Sequence, residues 1–218
     1  PHHAQATSES SLKHAYKQLK AMNWKPSIIE LPHFPADPAF IEPLADSIRP
    51  HLEDGAHLLF SYHGLPISHV KRADSSGKHC QKVDKCCSID VKGNSMCYAH
   101  HCMLTTLSVV GALGIDDSDW SISYQSRLGP AKWLQPSTTK TVEDLAENGK
   151  TKIVIVSPAF LADGLETLEE LDIEIREHFI EHGGKELTVV NCLNDDPSWI
   201  QGLGVLVENA FDQPTVTG

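Results

Sequence analysis

A chain of 218 residues with 40% apolar and 22% charged residues has the make-up of a globular protein of one large or two small domains. Its formal net charge of -11 and the lack of any basic run exclude a phosphate-tracking surface, so no nucleic-acid partner is expected. No apolar run approaches the roughly 20 residues that span a bilayer. No signal peptide is read at the start; the chain opens on Pro1 without an initiator methionine and is expected to be a fragment lacking its N-terminus.

Leu12, Ala15, Leu19 and Met22 recur at helical period behind Thr7 or Ser8 as N-cap. Residues 26–31 read as a short strand, and 33–38 as a proline-broken loop. Asp37 then caps a helix with Pro38 in its first turn, carrying Phe40, Ile41, Leu44 and Ile48 inward. Residues 57–62 are an apolar strand that delivers His63, after which Gly64-Leu65-Pro66 turns the chain away. Residues 67–95 are polar and without sustained period, a length of connection that is functional or disordered in a compact domain. A helix is expected from about 99 to 113 with Gly114 as its stop. A strand at 120–124 leads into a loop at 125–135, and Ser137 or Thr138 caps a helix to Glu147. Residues 152–157 read as a buried parallel strand, followed by a helix over 163–182, a strand at 187–192 and a last helix over 197–209. The tail from 212 to 218 is expected to fray. Strands alternating with helices predict an α/β chain with largely parallel sheets. Gly202-x-Gly204 falls in or after a helix, the wrong setting for a dinucleotide fingerprint, so no nucleotide cofactor is expected.

Three constellations carry chemistry. In an open α/β sheet, ligands bind at the carboxyl ends of strands, so His63 is placed at a crevice; the bland alternative is a histidine that caps its strand through a backbone carbonyl. On the helix after residue 157, Asp163, Glu166, Glu170 and Glu174 step by three, four and four and share one face, with Leu168, Leu171, Ile175 and Phe179 as an apolar stripe. A solvated acidic face near a helix N-terminus is the bland alternative. A histidine and a row of carboxylates at one sheet edge can instead accept protons and pass a divalent cation. Third, five of the six cysteines fall between positions 80 and 102, with His79, His100 and His101 among them. Such density favours a metal over a disulfide framework. No Cys-x-x-Cys pair is present, so the zinc-ribbon pattern fails; a zinc site, reduced thiols and an iron–sulfur cluster stay open. Cys192 reads as a buried small hydrophobe, His2, His3 and His33 as ordinary loop residues, and Trp24, Trp120 and Trp199 as packing.

Ser61-Tyr62-His63-Gly64-Leu65-Pro66, then Tyr124-Gln125-Ser126-Arg127-Leu128-Gly129 with Trp133-Leu134-x-Pro136, then Ala162-Asp163-Gly164-Leu165-Glu166-Thr167-Leu168 resemble, in that order, the signature blocks of the ferrochelatase family. Pro1 to Ser11 resembles a further segment of the family, with His2 and His3 as departures. The resemblance covers essentially the whole chain, as the C-terminal two-thirds or so of such an enzyme. It implies a chelatase-like fold of Rossmann-like parallel sheets flanked by helices, in two similar lobes with the first incomplete here. Residues 1–150 would form mostly one α/β lobe with a cysteine-rich insertion at about 75–102, and 151–218 a C-terminal segment completing the cleft. The implied activity is that of a lyase inserting Fe(II) into protoporphyrin IX or coproporphyrin III in haem biosynthesis. His63 and Glu166 would be the metal and proton site, with Asp163, Glu170, Arg127 and Trp133 along the substrate or proton path. The insertion resembles that of bacterial members carrying a [2Fe–2S] cluster, with Cys80, Cys87, Cys97 and Cys102 as ligands and Cys86 as the alternative to Cys87. The implied location is the cytoplasm, with peripheral contact to the inner membrane where a lipid-soluble porphyrin is met; monomer and homodimer are both open. The competing readings are a non-catalytic tetrapyrrole- or metal-binding module on the same fold, and an iron–sulfur sensor.

Overall fold

The computed structural model describes residues 1–52, 55–89 and 91–212; of the tail expected to fray, residues 213–218 lie outside them. A π-helical turn at Gln5–Glu9 opens into α1 (Ser10–Ala21), and α2 (Pro38–Ile48) follows. Then come β1 (His57–His63), α3 (Ile67–Arg72), α4 (Tyr98–Leu113), β2 (Trp120–Gln125), α5 (Thr138–Glu147) and β3 (Lys152–Val156). A π-helix (Glu166–Ile175) runs directly into α6 (Arg176–Glu181), and β4 (Glu186–Val189) and α7 (Pro197–Phe211) complete the chain. Among the described residues no helix is long and apolar enough to cross a membrane.

The four strands form one parallel sheet in the order β2-β1-β3-β4. Parallel strands need crossover helices, and these cover both faces. Side-chain alternation along β1 and β3 divides the core accordingly. Leu58, Phe60, Tyr62, Val154 and Val156 pack with Phe40, Ile48, Val109 and Trp199 on the side of α2, α4 and α7. Leu59, Ile153, Ile155 and Leu187 pack with Val142, Leu171, Ile175 and Phe179 on the side of α5, the π-helix and α6. His57, Ser61 and His63 share the parity of Leu59 and belong to this second face.

The caps act as their residue types predict. Asp37 accepts from the Ala39 N–H at 2.9 Å and Ser137 from the Lys140 N–H at 3.3 Å, each filling one of the donors a helix start leaves open. Gly114 ends α4 at φ +69, where a side chain would be strained. α7 approaches α2 at Gly202, where an added Cβ would stand 2.1 Å from the Ala39 carbonyl oxygen.

Several expectations need correction. Residues 26–31 are not a strand of the sheet: none of its pairings includes them, and the segment is reduced to a single bridge residue, Ile28. The polar connection from 67 begins with α3, and the chain has a second short turn of helix at Lys92–Asn94. The first helix starts earlier than Thr7 or Ser8, and Ser8 instead exchanges hydrogen bonds with the backbone of Ala4. Trp24 is 59% exposed and does not pack, whereas Trp199 does, against Phe34 and Phe40. His3 is buried, with its ring against the Met96 carbonyl at 2.7 Å, and His2 reaches Thr105 at 2.9 Å; neither is an ordinary loop residue.

Candidate active site

The strand order places the site. β2 lies on one side of β1 and β3 on the other, so the chain reverses its direction of travel across the sheet between them. Beyond the carboxyl ends at such a switch point the connections diverge and leave a crevice. His63 ends β1 there, opposite Gln125 in the register. The segment leaving β3 leads into Glu166.

His63 is half-buried and fixed on three sides. Its Nδ1 lies 2.7 Å from the Gly64 carbonyl, which can only accept, so Nδ1 carries the proton and Nε2 keeps a free lone pair. The strand-capping contact and a reactive Nε2 thus coexist in one ring. The Tyr98 hydroxyl donates to the His63 carbonyl at 2.8 Å, and the Phe160 ring stands 6.2 Å away between centroids. At Gly64 an added Cβ would meet the Gln125 carbonyl oxygen at 2.8 Å and the Trp133 ring at 3.2 Å. Only glycine lets the chain turn this tightly against Trp133. The turn is laced to the Trp133 loop by the Leu134 N–H donating to the Leu65 carbonyl at 3.0 Å and the Ile67 N–H to the Lys132 carbonyl at 2.8 Å. The Trp133 Nε1 is buried without a hydrogen-bond partner.

Gln125, which sequence reasoning did not single out, joins the two halves of the site. It is 3% exposed. Its Nε2 donates to the Glu166 carbonyl at 2.9 Å, and its Oε1 accepts from Ser61 at 2.6 Å. Ser61, Ser123 and Thr138 continue inward as a hydroxyl network at 2.8 and 3.0 Å. The end of β1, the end of β2 and the start of the π-helix are therefore tied through one buried amide. A signal was present: Ser61, Ser123, Gln125, Thr138 and Ser157 put polar groups at the end of an otherwise apolar sheet, and buried polar groups must find one another.

The acidic residues do not form the single face that their spacing suggested. The helix is wound with i→i+5 hydrogen bonds, so it turns through a smaller angle per residue than an α-helix. Its buried row is Thr167, Leu171, Ile175 and then Phe179, in steps of four, while Leu168 is 57% exposed. Glu166 and Glu170 stay half-buried in the row beside it. Asp163 precedes the helix and is drawn to the β4 edge: its carboxylate accepts from Asn194 Nδ2 at 2.6 Å, the Cys192 N–H at 3.2 Å and Thr167 at 3.1 Å. Burial alone would raise its pKa, but these hydrogen bonds outweigh it and hold the carboxyl below the usual range. Glu170 is drawn to the β2 edge, accepting from the Ser126 N–H at 2.7 Å and from its hydroxyl. Both partners are left-handed non-glycine residues, Ser126 at φ +61 and Asn194 at φ +48. Each carboxylate thus pins a loop in a conformation that costs about 1–2 kcal/mol on its own.

Arg127 and Leu128 are exposed beyond Ser126. Cys192 lies past the end of β4 and is only half-buried; burial and then Asp163 push its thiol up to about 12, so it belongs to the back of the site and not to the core.

Cys80, Cys86, Cys87, Cys97 and Cys102 are all free and close enough to perturb one another. Cys86 and Cys87 Sγ are 3.9 Å apart. Burial and then neighbouring thiols push Cys80 up to about 11, and Cys87 and Cys102 rise for the same reasons. Cys80, Cys97 and Cys102 are buried and Cys86 and Cys87 half-buried, and among the described residues no three of these thiols come within 4.8 Å of one another, so they are neighbours that a cationic centre would have to draw together. Cys97 is the N-cap of α4, whose first residue Tyr98 reaches the His63 carbonyl, so the cysteine insertion abuts the site.

The structure described as SirB from Bacillus subtilis with Fe3+ matches 95% of this chain and 67% of its own, with a TM-score of 0.52 and 12% identity. At that identity the likeness shows the fold alone, a chelatase-like α/β fold. The curated Ferrochelatase of Pseudomonas syringae pv. tomato is 40% identical over 211 residues, covering 96% of this chain and 62% of that protein. That of Pseudomonas entomophila is 45% identical over 175 residues, covering 79% of this chain and 52% of that protein. The chain therefore spans about 62% of the length of the curated relatives it matches along nearly its whole length. With the family model described as Ferrochelatase matching residues 1–211, the chain belongs to the ferrochelatase family.

Proposed function

We propose that this chain carries the metal-insertion site of a lyase that places Fe(II) into a porphyrin in haem biosynthesis. The observation that supports the reading is that His63 ends β1 opposite Gln125 in the register, while the Gln125 amide donates to the backbone carbonyl of Glu166. A porphyrin presents two N–H groups, and its metallation by Fe(II) releases two protons. In this reading the free Nε2 of His63 accepts a pyrrole proton and Glu166 meets the iron. Asp163 and Glu170 extend the acidic path on either side, and Arg127 and Trp133 border the porphyrin. Trp133 packed against the Gly64 turn is a rigid apolar wall of the kind that favours a bent macrocycle over a flat one. Cytoplasmic turnover with peripheral membrane contact suits a substrate that partitions into lipid. Full-length protein given Fe(II) and protoporphyrin anaerobically should convert porphyrin fluorescence into haem absorbance. Porphyrin binding with no conversion above the uncatalysed rate would replace this reading with that of a binding module.

We propose further that Cys80, Cys87, Cys97 and Cys102 hold a [2Fe–2S] cluster, with Cys86 able to stand for Cys87. The support is five free thiols gathered in one insertion, with Cys80, Cys97 and Cys102 buried and Cys86 and Cys87 half-buried beside each other. Such a cluster would supply redox-active iron and a cross-link between the insertion and α4. Anaerobically purified protein should be coloured and contain acid-labile sulfide. Colourless protein with zinc and no sulfide would overturn the assignment.

A further inference from the structure

Glu143 of α5, His178 of α6 and His182 at the C-cap of α6 form a second donor set, apart from the crevice and from the cysteines. Their ligand atoms all lie within 4.8 Å of one another, and the three side chains are half-buried. No step proposed above uses them.

The details favour a cation. His182 Nδ1 stands 2.8 Å from the His178 carbonyl and so carries its proton there, which leaves Nε2 as the lone-pair nitrogen. This backbone contact is how metal-ligating histidines are commonly oriented. The His178 Nε2 is buried and has no hydrogen-bond partner. Its nearest acidic atom is Glu143 Oε2 at 3.8 Å, beyond hydrogen-bond reach. The other carboxylate oxygen, Oε1, is engaged by Lys140 at 2.6 Å, so Oε2 is the one turned to the histidines. Lys140 is shared with Asp144 at 2.9 Å, so two carboxylates face one ammonium and the local charge still favours a dication. The two histidines also sit at the C-terminal end of α6, where the backbone dipole favours positive charge.

We infer that Glu143, His178 and His182 bind a borderline divalent cation of the zinc class, which ties α5 to α6 on the face remote from α2, α4 and α7. Two imidazoles and a carboxylate are a donor set for zinc, cobalt or nickel, with water completing the shell. Tetrahedral ligand atoms at about 2.1 Å from the metal stand about 3.4 Å apart. His178 and Glu143 stand 3.8 Å apart and every pair of the set lies within 4.8 Å, so rotation of the half-buried side chains must close the set by up to about 1.4 Å.

The test uses the full-length protein and Zn2+ or Co2+ as the probe. Wild type should hold one more equivalent of Zn2+ than the His178→Gln/His182→Gln double variant, and Glu143→Gln should weaken that equivalent at least tenfold. The cobalt form of this equivalent should show visible d–d bands without thiolate-to-cobalt charge transfer, which separates it from cobalt held by the cysteines. Zn2+ should raise the melting temperature of wild type more than that of the double variant. Circular dichroism of the metal-free variants checks folding, and Glu143→Gln offers an independent arm should the double variant misfold. Equal zinc stoichiometry, affinity and melting shift in wild type, Glu143→Gln and the folded double variant would overturn the inference.

Discussion

Replacing Gln125 by leucine keeps much of the side-chain volume and removes both polar ends. The amide donates to the Glu166 carbonyl at 2.9 Å and accepts from Ser61 at 2.6 Å. At 3% exposure, water cannot easily take its place. Ser61 retains Thr138 at 2.8 Å, so its loss is about one net hydrogen bond, roughly 0.5–1.5 kcal/mol. The Glu166 carbonyl loses its side-chain donor at a half-buried spot, which costs about 1–3 kcal/mol. Together Gln125→Leu should lose about 2–4 kcal/mol, a large part of the typical 5–15 kcal/mol of a folded domain. Because the same amide ties the start of the π-helix to the end of β2, the register partner of His63, kcat for iron insertion should fall about tenfold or more while KM for porphyrin changes little. Gln125→Glu keeps the acceptor for Ser61 but not the donor, and should recover part of the stability without the rate. Urea unfolding and steady-state insertion kinetics on the full-length protein measure both. A leucine variant that loses less than about 0.5 kcal/mol and keeps its kcat would refute the positioning role.

Two further outcomes follow from packing and from charge. Gly202→Ala places a methyl 2.1 Å from the Ala39 carbonyl oxygen, so α7 and α2 must part; the expected cost is about 1–3 kcal/mol by urea midpoint, while Gly204→Ala, with open space around it, should be neutral or stabilising. Burial, and then Lys150, depresses the His57 pKa to about 4 against an opposing pull from Asp119. Between that value and the ordinary 6.5 the unfolded chain binds the extra proton, so stability contributed by neutral His57 is complete above about 6.5 and is lost as pH falls toward about 4. His57→Asn can keep a hydrogen bond to Ser121 without titrating, and should flatten that part of the stability–pH curve; an unchanged slope would contradict the assignment.

Much of this fold can be read from local chemistry. The apolar runs of β1 and β3, the Asp37 and Ser137 caps and the Gly114 stop depend on neighbours in sequence, and the structure places all of them as expected. What escapes the sequence depends on long-range partners. Asp163 has the spacing to join the acidic row, yet Asn194 and the Cys192 N–H, about thirty residues on, pull it to the β4 edge. Leu168 has the spacing of a core residue under α-helical period, but π-winding gives that place to Thr167. Gln125 in an alternating strand reads as solvent-facing until Ser61, Glu166 and Thr138 are known to surround it. The short strand expected at 26–31 has the local signals but no place in the sheet, and only Ile28 of it forms a bridge.

The central claim is that His63 and Glu166 act together on metal and protons, and paired substitutions test it most directly. Initial rates of haem formation by anaerobic full-length His63→Ala and Glu166→Gln should fall by about two to four orders of magnitude in kcat, the range a positioned acid–base group supplies. Porphyrin binding and the urea midpoint should stay near those of wild type. Rates within a factor of two of wild type in both variants would contradict the account.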